Sequence, residues 1–223
     1  MLVRSWLPLA KSFVRAEHLR QVLEHVRGHL RNRRLLANFG MGAAVLFALV
    51  GCFTYANFYL AATPFRLNSA KLGSIFLVYL LGVVITPQSG HFLDRFGFGH
   101  TTIVYCAMMI AGLLLTLIKS LPIVIIGLAI FSSGVFVAQA AATVQTGAIA
   151  GRARSSAAGL YVTFYYLGGS VGATLTDWFW RWKGWPGCVA LLGGVSLASL
   201  WLARLSSRSL EQPGSAEIEL IGD

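Results

Sequence analysis

The segment Ser89–His100, SGHFLDRFGFGH, sets a carboxylate and a guanidinium at a turn: Gly90, Asp94, Arg95 and Gly97 fall at the spacing G-x-x-x-D-R-x-G. Glycine tolerates the backbone conformations of a tight turn, and Gly97 and Gly99 follow the charged pair directly. Gly90, one helical turn before Asp94, leaves room for another helix to approach. At the junction of a helix with the cytoplasmic face, such a pair can bind neighbouring helix ends and latch one conformation. Spacing alone equally allows a capping Asp beside an Arg that only sets topology.

A second group of residues could contact a ligand from within apolar surroundings: Tyr55, Asn57, Tyr79, Gln88, Gln139, Thr143, Gln145, Tyr165 and Tyr166. Amides and phenols in hydrocarbon are costly unless another helix or a water-filled cavity satisfies them. Each of these side chains could instead serve only a helix-to-helix hydrogen bond. They concentrate in the first, second, fourth and fifth apolar runs of the chain. No Asp, Glu, Lys or Arg lies in the middle of any run, although such a charge is the usual mark of an ion pathway. Proton coupling would therefore need an acid from elsewhere. Zinc-protease, serine-nucleophile and phosphate-loop signatures are also absent. The expected protein is not an enzyme, and neither a cofactor nor a metal is expected.

Those residues sit on six long stretches free of Lys, Arg, Asp and Glu: Leu35–Phe65, Leu72–Leu93, Phe96–Ile118, Ser120–Gly151, Ser155–Thr176 and Gly184–Ala203. A hydrocarbon core about 30 Å thick takes roughly 20 apolar residues of helix. Lipid offers the backbone no hydrogen-bond partners, so helices are the natural form. The fold class expected is an all-α integral membrane protein with six transmembrane helices. Gly97, Gly99 and His100 interrupt the third run, which places its helix start near Thr101. Residues 147–151 are read as part of the following hinge, and Pro87 and Pro122 as a kink and a helix start.

Composition agrees: 56% of the 223 residues are hydrophobic and only 12% charged. An ordinary soluble domain is about 25% charged. The net charge of +10 does not point to nucleic acid, because eight of the 18 Lys and Arg crowd the first 34 residues and most others occupy short hinges. Residues 1–34 read as a cytoplasmic linker in which Leu19, Val22, Leu23, Val26 and Leu30 alternate with Arg20, Glu24, Arg27 and Arg31, an amphipathic basic helix. Residues 35–205 form the six-helix bundle, and residues 206–223 a short polar tail. No secretory signal is expected, since the first insertable run begins near Leu35 and exceeds a signal h-region. Arg27, Arg31, Arg33 and Arg34 at the first span keep that end cytoplasmic, and six crossings bring the other terminus back. Cys52, Cys106 and Cys188 form no disulfide or zinc pattern. Trp178, Trp180, Trp182 and Trp185 read as an interface anchor, with a ligand-binding aromatic cage as the alternative.

The Gly90–Gly97 pattern resembles the short-loop signature of the major facilitator superfamily, G-x-L-x-D-R-x-G, in the copy between helices eight and nine. Phe92 replaces its Leu, and Phe98, Gly99 and His100 stand where a basic pair is usual. Leu7–Phe13 (LPLAKSF) with the later RNRRLL resembles the central cytoplasmic linker of drug and sugar efflux permeases. Gly159–Trp185 is similar to helix eleven and its loop in bacterial inner-membrane permeases of the arabinose-efflux type. The resemblance implies the carboxyl-terminal half of a twelve-helix efflux carrier, helices seven to twelve, built from two inverted three-helix repeats. It implies an inner-membrane location, a small-molecule substrate, and a partner that is either an amino-terminal half or a second copy. It implies, too, that spans three and six are peripheral. Glycines before an Asp and an aromatic-Gly turn recur in both units, at Gly82, Gly90, Asp94 and Gly97, and at Gly168, Gly169, Gly172, Asp177 and Gly184. The rival expectation is a non-transporting truncated or accessory six-helix subunit. An oligomeric channel lacks any ring-forming charged motif.

Overall fold

A computed structural model describes residues 26–207. Every regular element among them is helical: helix at residues 26–31, α1 (Arg33–Ala61), α2 (Ser69–Ile75), a 3₁₀ stretch (Phe76–Tyr79), α3 (Leu80–Leu115), α4 (Leu121–Ala150), a 3₁₀ turn (Gly151–Ala153) and α5 (Arg154–Ser207). Four helices among the described residues are long and apolar enough to cross a membrane: Arg33–Ala61, Arg95–Leu115, Leu121–Ala150 and Arg154–Ser207. The described part of the chain is thus all-helical and has the spans of a membrane protein. The part of the expected linker before residue 26 and the part of the expected tail after residue 207 lie outside the described residues, while residues 206 and 207 are the last of α5.

Local chemistry sets the helix ends. The Asn32 side chain accepts from the backbone N–H groups of Arg34 and Leu35, at 3.0 and 3.4 Å, and starts α1. Asn68 does the same for α2 by accepting from Lys71 N at 3.0 Å. Pro122 lies in the first turn of α4, where its missing N–H costs nothing.

The two longest helices are not straight rods. Gly97 has φ 72° and ψ 168°, and Gly184 has φ 62° and ψ −145°, backbone regions open to glycine almost alone. Packing shows the result. Gly82 abuts Phe136, while Gly134 on the same helix meets Met108, Met109 and Tyr105. Along a straight helix Gly82 and Met109 would lie about 40 Å apart. Likewise Gly51 touches both Thr176 and Leu192. Each helix therefore reverses at its glycine, and α3 and α5 each contribute two arms.

α1 occupies the middle of the bundle. Gly168 packs on Ala43, Gly172 on Phe47, and Thr176 reaches Gly51, so the first arm of α5 runs parallel to α1. The second arm returns antiparallel, with Leu192 near Gly51 and Leu202 near Gly40. α4 also runs antiparallel to α1: the Asn38 amide donates to Ala142 O at 2.9 Å and to Thr146 Oγ1 at 2.7 Å, while Phe53, later in α1, connects through Tyr79 to Phe136, earlier in α4. In the second arm of α3, Tyr105, Met109 and Leu113 are fully buried, and Cys106 donates weakly to Ser196 O of α5.

Two local expectations are corrected. Helix resumes directly after Gly97, not near Thr101, because one glycine with positive φ suffices for the turn. Thr101 and Thr102 are already inside it, donating back to Gly97 O and Gly99 O. Residues 147–150 belong to α4, and the hinge is Gly151 (φ 56°). Pro87 lies inside α3, whose non-helical backbone is at Gly97.

Alternating arms make orientation testable. Reporter fusions after Leu67 and after Arg154 should read external and cytoplasmic respectively, as the arginines at the start of α1 demand. The opposite pair of readings would invert the bundle.

Candidate functional site

Residues Val50, Phe53, Thr54, Asn57 and Phe58 recur every three or four positions and so share one face of α1. Opposite them stand Phe76 and Tyr79 of the 3₁₀ stretch, enclosing a groove of about 420 Å³. The Phe53 ring sits 4.5 Å from Tyr79 and 6.0 Å from Phe76. The Asn57 amide donates to Phe53 O at 2.9 Å, which holds it along the wall. Two of the residues singled out from the sequence, Asn57 and Tyr79, therefore meet here.

Ring contacts carry the lining onward. Tyr79 meets Phe136 of α4 edge-on at 6.1 Å. One turn further, Gln139 Oε1 accepts from the Tyr161 hydroxyl at 2.8 Å. Tyr161 stacks at 6.0 Å on Tyr165, which meets Tyr166 edge-on at 5.7 Å. Phe39 of α1 closes the row against Tyr161 and Phe164. α1, the stretch ahead of α3, α4 and the first arm of α5 are thus joined by one run of ring contacts and the Tyr161–Gln139 hydrogen bond, buried at Phe39 and Tyr161 and exposed at Tyr166.

The remaining residues go elsewhere. Tyr55 is buried and donates to Ala173 O at 3.2 Å, a helix-to-helix bond. Thr143 is exposed and donates to Gln139 O within its own helix. Gln88 is exposed on α3, away from the groove lining. Gln145 is buried, and its Nε2 has no partner among the described residues. Among the turn residues, Gly97 makes the reversal, and the Arg95 guanidinium lies 5.5 Å over the Phe96 ring. Nothing in the described chain comes within 4 Å of a Cβ built on Gly90, so no helix of this bundle uses the space it leaves. The Asp94 side chain lies outside the described residues.

The tryptophans divide. Trp178 and Trp182 are 76% and 70% exposed, as interface anchors would be. Trp185 is buried, donating to Thr116 Oγ1 at 2.9 Å and stacking at 5.2 Å on Tyr59. Its position just past the Gly184 reversal turns it inward. Trp180 packs against Tyr55 and Phe58.

Sequence reasoning missed Phe53, Phe58, Tyr161 and Asn38. The four-residue interval between Tyr161 and Tyr165 was a signal for the first arm of α5. An amide four residues into an apolar run was a signal for Asn38.

The family model described as Major Facilitator Superfamily matches residues 5–173. The chain belongs to the major facilitator superfamily. It is 33% identical over 186 residues to the uncharacterized MFS-type transporter YybF of Bacillus subtilis, covering 83% of this chain and 46% of that protein. It is 33% identical over 184 residues to the inner membrane transport protein YnfM of Escherichia coli, covering 82% and 44%. An uncharacterized transporter of Buchnera aphidicola from Schizaphis graminum is 33% identical over 183 residues, covering 82% and 44%. No solved structure matches. This member of the major facilitator superfamily spans about half the length of the curated relatives it matches.

Proposed function

We propose that the chain is the carboxyl-terminal half of an efflux-type carrier for a small organic molecule, contributing helices seven to twelve. On this reading the two arms of α3 and of α5 are separate crossings. Together with α1 and α4 they make six, arranged as two inverted three-helix units with both termini cytoplasmic in the inner membrane. The observation carrying the proposal is the groove between α1 and the 3₁₀ stretch, which ring contacts and the Tyr161–Gln139 hydrogen bond tie to α4 and the first arm of α5. Such a groove would form part of a half-cavity that a complementary six-helix half or a second copy closes. Asp94 and Arg95 at the Gly97 reversal would latch one of the two alternating states.

The test is efflux of a panel of fluorescent organic molecules from cells making the chain alone or together with the amino-terminal half of YnfM. Efflux above vector background is expected only from the pair. Asp94→Asn in the pair should slow it about tenfold, the effect of about 1.4 kcal/mol on a conformational equilibrium, without lowering membrane insertion. Robust efflux by a demonstrably monomeric chain would refute the half-carrier reading. No efflux from the pair of any panel molecule that full-length YnfM exports in the same assay would favour the accessory-subunit rival.

A further inference from the structure

At the Phe58 end of the groove three rings close on one another. Tyr55 and Phe58 lie 5.7 Å apart, Tyr55 and Trp180 6.0 Å, and Phe58 and Trp180 6.3 Å, all tilted at about 40°. Phe58 is 56% exposed and belongs to both the ring triangle and the groove lining. One turn before Trp180, Asp177 is the one carboxylate among the described side chains, and it interacts electrostatically with the Tyr55 hydroxyl.

The geometry points to a binding site for an amphipathic organic cation, its charged head over Phe58 and Trp180 beside Asp177 and its apolar body in the adjoining groove. A cation held within about 6 Å of a ring face is drawn to the negative face of the π system. The carboxylate supplies the countercharge that rings alone lack. Asp177 already accepts from Arg181 Nε at 2.6 Å, but the Arg181 side chain is 76% exposed and the pair is an i, i+4 surface contact, weak and easily exchanged. Lys183 is committed elsewhere, 4.9 Å over the Trp182 ring. The groove volume of about 420 Å³ suits a molecule of drug size. Phe53, Phe76 and Tyr79 present apolar ring surface to such a body. The inference names a substrate class for the groove and rests on the transport reading for what the groove does.

The probe is tetraphenylphosphonium, and the measurement is its equilibrium binding to the full chain in nanodiscs of phosphatidylethanolamine and phosphatidylglycerol. Saturable binding is expected, weakened about tenfold by Asp177→Asn and several-fold by Trp180→Leu and by Phe58→Leu. Trp182→Leu, outside the triangle, should leave it unchanged. Neutral triphenylphosphine oxide should bind with the same affinity to wild type and to Asp177→Asn. Absence of saturable binding, or equal tetraphenylphosphonium affinity in wild type, Asp177→Asn and Phe58→Leu, would overturn the proposal. The onium head could also be a lipid's choline group. Loss of probe binding in phosphatidylcholine nanodiscs would assign the site to that headgroup and overturn the soluble-cation assignment, whereas unchanged binding supports it. Because binding is read without transport, a chain that binds the cation while its pair exports nothing sinks only the carrier reading. Efflux without cation binding sinks only this one.

Discussion

Gly172→Leu should cost the bundle its stability before any effect on transport can be measured. A Cβ at Gly172 would stand 2.5 Å from Phe47 O, which is backbone and cannot rotate away. Gly168 is as tight against Ala43, so the first arm of α5 meets α1 backbone to backbone over more than a turn. In a bilayer, where apolar burial between helices gains little, such close approach is what holds helices together. Overpacking costs about 3 kcal/mol, and a leucine here also forces apart the two helices at the middle of the fold. Thermal melting of the purified protein in detergent should show a large drop, with Gly168→Leu similar. Gly90→Leu is the internal control: its Cβ meets nothing within 4 Å, so melting should shift by less than about 0.5 kcal/mol. A Gly172→Leu protein that melts with wild type would mean that the α1–α5 contact has slack.

The second large effect is expected from Gly184→Ala. Nothing stands within 4 Å of a Cβ there, so the substitution tests backbone conformation alone. At φ 62° and ψ −145° any L side chain is strained by about 2 kcal/mol. Relief requires the reversal to open, and the second arm of α5 would then lose its register. The Trp185–Thr116 bond and the Trp185–Tyr59 stack, which follow the turn directly, would go first. Maleimide labelling of Cys188, fully buried in the native bundle, reports this opening. Labelling should accelerate about thirtyfold if the strain is released by local opening. Gly97→Ala (φ 72°, ψ 168°) should destabilise similarly, again with free space around the new methyl. Unchanged Cys188 labelling in Gly184→Ala would show that the turn has a second, unstrained geometry.

The residues that make these turns were visible in the sequence, although their effect was only partly so. Gly97 and Gly99 mark a turn in any reading, because only glycine takes such backbone angles cheaply. How tightly the chain turns is a different matter. The sequence suggested several irregular residues before the third helix, whereas a single φ at Gly97 reverses the chain. Gly90 and Gly172 show a sharper limit. Gly90 reads as a site of close helix approach but meets nothing among the described residues, whereas Gly172 packs on the backbone of Phe47. A glycine permits contact, and the partner helix decides whether contact occurs.

The ligand-contact candidates divide for the same reason. Polarity inside an apolar run reveals that a side chain needs a partner, but not which helix supplies it. Asn57 and Tyr79 meet at one groove because the face of α1 carrying Phe53 and Phe58 turns toward the 3₁₀ stretch. Tyr55, two residues before Asn57, points to α5 and is satisfied by Ala173 O. Gln139 and Gln145 share α4, but only Gln139 finds a phenol, on Tyr161. The four tryptophans looked alike, and the Gly184 reversal alone sends Trp185 into the core.

Apolar run length and the clustering of arginines determined by themselves that this is a helical membrane protein, because lipid forbids unpaired backbone and imposes helix length. The tertiary structure alone decided that α1 is central, that two helices double back, and that rings from four segments form one connected cluster. Those outcomes depend on which helix faces meet, a property of packing between segments far apart in the chain.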